Sequence, residues 1–313
     1  MTARIALALL VIVPAAMAYP WQITTDRWVL GVATAVVLLA FAWWRGLFLT
    51  TMIGRRVAVW RRNHGKSGPR PSNEVTVLLR VEAPDGAALP LQVLAGYVDR
   101  FGIRASKVRV TSVDGGGTRK TWVSMTLGAT DNLAALRARS PEIPLYETAE
   151  VVGRRLADQL REAGLDAAIV DAVQGPLTVR GHETWRAVRD DGDPAGHLAA
   201  HRIPVDERLG DRLAEVWSHT AWETWTALEF GGTANTPTVA AICAFRTEEA
   251  PLKPPLPFLQ IQRGLQRPLL TALDPRSVDR LNDDAVPLSD GLLDHVGWWV
   301  ERTKSPLAEQ THL

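Results

Sequence analysis

Hydrophobic positions are spread unevenly along this chain. Two apolar segments crowd its start, one from Ile5 to Ile23 and one from Trp28 to Phe48, with a short polar loop around Thr24, Thr25, Asp26 and Arg27 between them. A helix that crosses a bilayer needs about 20 mostly apolar residues. The second segment meets that length; the first is shorter and is interrupted by Pro14 and Pro20. The pattern predicts a two-helix transmembrane hairpin over residues 1–52. Arg45, Arg55, Arg56, Arg61, Arg62, Lys66 and Arg70 follow the second segment, and cytoplasmic flanks carry excess Lys and Arg. Both termini and the rest of the chain are therefore expected on the cytoplasmic side of the inner (plasma) membrane. Trp21, Trp28, Trp43 and Trp44 stand where interfacial aromatic belts form, and Arg45 can snorkel to the headgroups. Ala16-Met17-Ala18 has the look of a signal-peptide end, but Arg4 alone makes a weak basic start. The second segment would stop transfer in either case.

From Ile53 to Trp60, arginines interleave with Val57, Val59 and Trp60, which predicts an amphipathic stalk. The run Asn63 to Asn73 is rich in Gly, Pro and Ser and reads as a linker. Residues 53–73 are thus expected to form a basic stalk and linker, and 74–313 a cytoplasmic α/β domain with a sub-boundary near 174–182.

Within that domain the apolar period switches repeatedly. Glu74 to Val81 predicts a strand, and Leu89 to Phe101 a helix stopped by Gly102. Lys107 to Val113 and Lys120 to Leu127 predict two strands joined by the turn Asp114-Gly115-Gly116-Gly117-Thr118. Asp131 is expected to cap a short helix through Arg139. Tyr146 to Ala163 places Val151, Val152, Leu156 and Leu160 on one helical face ended by Gly164, and Ala167 to Val173 predicts a strand. The order strand, helix, strand, strand, helix, strand fits a split βαβ sandwich with one inserted helix. Further on, His182 to Arg189, His197 to Ile203 and Thr238 to Arg246 predict strands. Ala221 to Phe230 ends at a turn on Gly231-Gly232, and Phe258 to Leu273 reads as a strand and then a helix. No internal repeat is visible. The class is mixed α/β or α+β.

Charge narrows the function classes. The formal net charge is +1, so there is no global basic field, and no basic face with interleaved aromatics recurs downstream to suggest nucleic acid. The juxtamembrane arginines favour membrane lipids. Cys243 is the only cysteine, which excludes an intramolecular disulfide and cysteine-based zinc clusters and fits a reducing compartment.

Motifs that could carry chemistry each meet a plainer reading. Gly65-Lys66-Ser67 resembles the end of a phosphate-binding loop, but Trp60 stands where that motif needs glycine. Asp191 and Asp193 form a D-x-D pair that could hold a divalent cation through oxygen ligands. They also lie in Asp190-Asp191-Gly192-Asp193-Pro194, the composition a turn demands. They are the metal candidates, and the turn is the preferred reading. Leu198 replaces the glutamate that a zinc-protease motif would need between His197 and His201. No G-x-S-x-G is present. No catalytic residue and no cofactor are assigned. Trp217, Trp222 and Trp225 form an expected aromatic cluster, in the core or at a contact surface.

The hairpin, the segment Phe41-Ala42-Trp43-Trp44-Arg45-Gly46-Leu47-Phe48, the basic stalk and the mixed soluble domain together resemble the EccE family, membrane components of mycobacterial type VII (ESX) secretion systems. Ala- and Arg-rich usage with few Lys suits a high-GC actinobacterium. The resemblance implies a non-enzymatic assembly subunit beside EccB, the ATPase EccC and EccD. It also implies a soluble domain distantly similar to glycosyltransferase folds without their catalytic residues. The alternative is a membrane-anchored, nucleotide-sugar-dependent glycosyltransferase with its metal on Asp191 and Asp193.

Overall fold

The computed structural model describes residues 9–10, 12–14, 16–17, 27–28, 30–34, 43–44, 47–64, 73–83, 86–177, 181–192, 195–281 and 285–300. The chain divides into two compact units, Met1–Lys66 and Ser67–Leu313.

In the first unit, the described pieces within residues 9–17 and 27–34 are helical. Among the described residues no helix is long and apolar enough to cross a membrane, and much of both expected spans lies outside the described residues. One correction is clear. The second segment was expected to stay helical to Phe48, but Trp43–Trp44 pairs antiparallel with Leu47–Phe48. Aromatic residues favour extended backbone, and a two-residue separation is enough to close an antiparallel pair. A helix, α1, then runs Leu49–His64, longer than the predicted stalk at both ends. Ile53, Val57 and Trp60 lie along one side of α1 and are exposed.

The second unit is built on one large antiparallel sheet. Its main strands are β1 (Glu74–Glu82), β2 (Ile103–Gly115), β3 (Thr118–Gly128), β4 (Asp166–Ile169), β5 (His182–Glu183), β6 (Val188–Asp190), β7 (Gly196–Ile203), β8 (Glu223–Thr233) and β9 (Thr236–Thr247). Their spatial order is β4-β1-β3-β2-β8-β9-β7-β6-β5. The helices are α2 (Leu91–Gly96), α3 (Leu133–Arg139), α4 (Leu145–Glu162), α5 (Leu209–Ser218) and α6 (Gln266–Leu273).

The first half has the predicted split βαβ order. Strands β1 to β4 lie as 4-1-3-2, with α2 inside the first crossover and α3 and α4 inside the second. The second half repeats the strand order, with α5 in the first crossover, but α6 follows its fourth strand instead of preceding it. Short strand Gln260–Ile261 pairs with β7, β7 with β9, and β9 with β8, which is again 4-1-3-2. The halves join where β2 pairs antiparallel with β8, from Glu223 opposite Gly115 to Phe230 opposite Val108. The repeat is invisible in the sequence because the two halves share strand order and not residues.

Alternation divides the sheet into two faces. Val108, Val110, Val123 and Met125 meet Leu91 and Leu94 of α2, Val152, Leu156 and Leu160 of α4, and Leu209, Leu213 and Val216 of α5 in one core. Leu78, Trp122, Trp225, Ala227, Ala240 and Ile242 face the other way, against Leu269, Leu270 and Leu273 of α6. The halves differ in their helices: α4, before the fourth strand, covers one face of the first half, while α6, after the fourth strand, covers the opposite face of the second. Helix α4 lies so close to β1 that a Cβ on Gly153 would come 2.6 Å from Val77 Cγ1.

Several local expectations need correction. The helix expected over Leu89 to Phe101 stops at Gly96, and Asp99–Arg100 turns back to pair with Ile103 and Arg104. Asp131 does not cap α3. Asn132 precedes that helix without a side-chain cap bond, its amide spent on the backbone of Arg104 and Gly128. His182 to Arg189 is two short paired strands. β8 runs through Gly231 and Gly232 to Thr233, because glycine tolerates the close Thr236 carbonyl 2.2 Å from a would-be Gly232 Cβ. Helix α5 was missed, although Leu209, Leu213 and Val216 have helical spacing.

Candidate functional site

Asp191 follows β6 directly, in the connection that returns to β7, where Gly196 pairs with Asp190. Its side chain is exposed, and Arg189 Nε donates to its Oδ1 at 2.9 Å. Asp193 lies outside the described residues. Among the described residues no group of three His, Cys, Asp or Glu side chains could hold a metal ion. The phosphate-loop candidate Gly65-Lys66-Ser67 also lies outside the described residues. The run Asp114 to Thr118 joins β2 to β3 as the expected hairpin turn, with Gly116 and Gly117 at positive φ.

Of the membrane-interface candidates, Trp21 and Arg45 lie outside the described residues. Trp28 is exposed in its short helical piece, and Trp43 and Trp44 sit in the small strand pair. Arg55, Arg56, Arg61 and Arg62 are all on α1.

The tryptophans do not cluster as expected. Trp225 stacks on Trp122 at 6.2 Å on the α6 face. Trp217 meets Trp298 edge-on at 5.2 Å on the other face, with the Arg119 guanidinium over its ring at 4.5 Å. Trp222 is exposed. Trp217 is on α5, Trp222 precedes β8 and Trp225 is in β8, so no two of the three share an element.

The densest chemistry is a row of charges buried on the α6 face. Arg109 Nε donates to Glu229 Oε2 at 2.9 Å and its Nη2 approaches the same oxygen at 2.5 Å. Arg109 also donates to the carbonyls of Ala272 and Asp279. Lys107 Nζ donates to the carbonyls of Ser277 and Asp279, and Glu229 Oε1 accepts from Leu281 N. Further along, Arg246 donates to Asp190, Glu223 and the Pro176 carbonyl. Buried charges persist when they are paired and hydrogen-bonded. Here they satisfy irregular backbone after α6 that has no ladder of its own. Burial, with Arg109 beside it, pulls the Lys107 amine down to about 7. The sequence signal was visible: Arg109 and Thr111 alternate with valines in β2. It marks solvent in a one-sided sheet, but here both faces are covered.

His201 is buried opposite Cys243, and neither ring nitrogen has a hydrogen-bond partner among the described residues. Burial lowers its imidazole to about 4 and raises the Cys243 thiol. A cleft of about 340 Å³ opens where Val286–Pro287 replaces β7 as the partner of β9. Its walls are mostly aliphatic, with Arg202 and Gln260 as polar side chains. Among the described residues that line it there is no carboxylate.

Comparison with known proteins agrees with the resemblance noted above. Residues 116–236 match the family described as "Putative type VII ESX secretion system translocon, EccE". The chain is 53% identical to the ESX-3 secretion system protein EccE3 of Mycolicibacterium smegmatis, covering 92% of each chain. It is 46% and 45% identical to proteins of the same description from two Mycobacterium tuberculosis strains, over 94% of this chain and 91% of each relative.

Proposed function

Because the chain belongs to the EccE family, we propose that it is a structural, non-enzymatic subunit of an inner-membrane type VII (ESX) protein secretion complex. The observation that carries this reading is the identity to the ESX-3 secretion proteins over nine-tenths of the chain. In the proposal, residues 1–52 anchor the subunit as a two-helix hairpin, both termini are cytoplasmic, and residues 53–73 link the anchor to the domain of residues 74–313. EccB-, EccC- and EccD-like subunits are its partners, and an EccC-like ATPase supplies the energy.

The buried charges support a scaffold more than a catalyst, since Lys107, Arg109, Glu229 and Arg246 are engaged by backbone and by one another. Asp191 at an exposed turn, bonded to Arg189, is no support for a sugar transferase. Helix α1 supports membrane attachment. Ile53, Val57 and Trp60 give it an exposed apolar side, and Arg55, Arg56, Arg61 and Arg62 are placed to meet anionic headgroups, as in helices that lie at a bilayer surface. Trp21, Trp28, Trp43, Trp44 and Arg45 complete the proposed interfacial set.

A mild-detergent pulldown of the tagged full-length chain from its native membrane tests the proposal. EccB-, EccC- and EccD-like proteins recovered in one large particle are the expected result. A small particle lacking all three would sink the assembly reading.

A further inference from the structure

Phe101 is displayed where a phenylalanine is poorly suited. It sits with Gly102 between two short paired strands, Asp99–Arg100 and the start of β2, and both residues have positive φ, 57° and 72°. A two-residue reversal of this kind favours Asn, Asp or Gly, because an L side chain in the left-handed region is strained. The ring gains no burial in exchange, since Phe101 is 56% exposed.

Cations hold the ring in place. The guanidinium of Arg100 lies 5.0 Å from its centroid and that of Arg155, on α4, lies 5.2 Å away. Arg100 also covers Tyr97 at 4.8 Å, and Gln159 accepts from both Arg100 Nη1 and the Tyr97 hydroxyl. The neighbouring carboxylates are assigned elsewhere: Asp99 to Arg104, Glu150 to Arg154 and Asp158 to Arg161. Among the described residues, neither Arg100 nor Arg155 belongs to an ion pair.

We propose that Arg100, Phe101 and Arg155 form a docking surface for an acidic segment of another polypeptide subunit, its carboxylates meeting the two guanidiniums and its apolar atoms the Phe101 face. The inference rests on the assembly reading above. Arginine and aromatic side chains dominate the energetics of protein contacts, and a guanidinium held beside rings is preorganised for a carboxylate. An anionic membrane fits less well. Lipid surfaces are met by broad basic fields, whereas this patch offers two guanidiniums around a single ring.

The test uses the full-length tagged chain in its native membrane, with a photo-crosslinking amino acid in place of Phe101 and, separately, the variants F101G and R155E. We expect crosslinks to an Asp- or Glu-containing segment of another subunit, and recovery of that subunit reduced by about tenfold in both variants. F101G should unfold at the same temperature as the unaltered chain or higher, since glycine accepts this backbone freely. That separates docking from folding. Undiminished recovery with both variants, or crosslinks only to lipid or to this chain, would overturn the proposal. An unaltered chain that recovers no subunits would instead overturn the assembly reading, and this one with it.

Discussion

Arg109 and Glu229 face each other as cross-strand neighbours at the seam between the two halves of the sheet, with both side chains at most 3% exposed. The pair is thus more than a local contact, because β2 and β8 are the only link by which the halves form one sheet among the described strands. Removing one partner strands the other charge in a dry environment, which costs about 3–5 kcal/mol. R109A and E229A should each lower the unfolding free energy by that order in chemical denaturation. Replacing both with apolar residues of similar volume should cost less than either single change.

Lys107 makes stability depend on pH on the alkaline side. A free lysine keeps its proton to about 10.5, but the buried amine releases its own near 7. Between those values the unfolded chain binds more protons, so stability rises with pH. From pH 7 to 9 the gain should be about 2 kcal/mol, and K107M should flatten it. A K107M chain that keeps the same slope would show that another group is responsible.

His201 governs the acid side. Its free imidazole titrates at 6.5, the buried one near 4. The unfolded state takes up the proton first, so stability is lost as pH falls through that window. Thermal unfolding should move down by several degrees between pH 6.5 and 4.5. The shift should shrink in H201F, which packs beside Phe245, the neighbour of His201 at 6.0 Å.

Gly153 is a packing position. An alanine there would press on Val77 across the α4–β1 contact, at a cost of about 1–3 kcal/mol. The double change G153A with V77A should recover part of the loss.

Asp191 should tolerate change. Its ion pair with Arg189 is two-thirds exposed on both sides, where such pairs contribute little. D191A should leave the unfolding midpoint within experimental scatter and should not alter recovery of partner subunits. A loss of partners would point to a role for the β6–β7 connection that its geometry does not suggest.

Much of the first half was legible in the chain. The valines of β2 and β3, the glycines between them and the apolar face of α4 each encode a local period, and together they fix a split βαβ unit. The second half was harder for a physical reason. Its strands β5 and β6 are two and three residues long, too short to show a period, and α5 buries three of its ten residues. The docking surface left no motif at all. Phe101 has the place of a last apolar helical residue in the sequence, and its exposure follows from the reversal it forms with Gly102.

The sequence by itself determined the family, the alternation of elements, the basic stalk and the absence of a cysteine framework, because these depend on composition and near-neighbour spacing. The tertiary structure alone decided that the halves repeat one strand order, that α6 lies on the face opposite to α4, and that charged residues in β2, β8 and β9 are interior. Those outcomes depend on which strands pair across more than a hundred residues. Strand pairing of that range leaves no periodic trace, and only the covering of the second face turns an ordinary alternating arginine into a buried one.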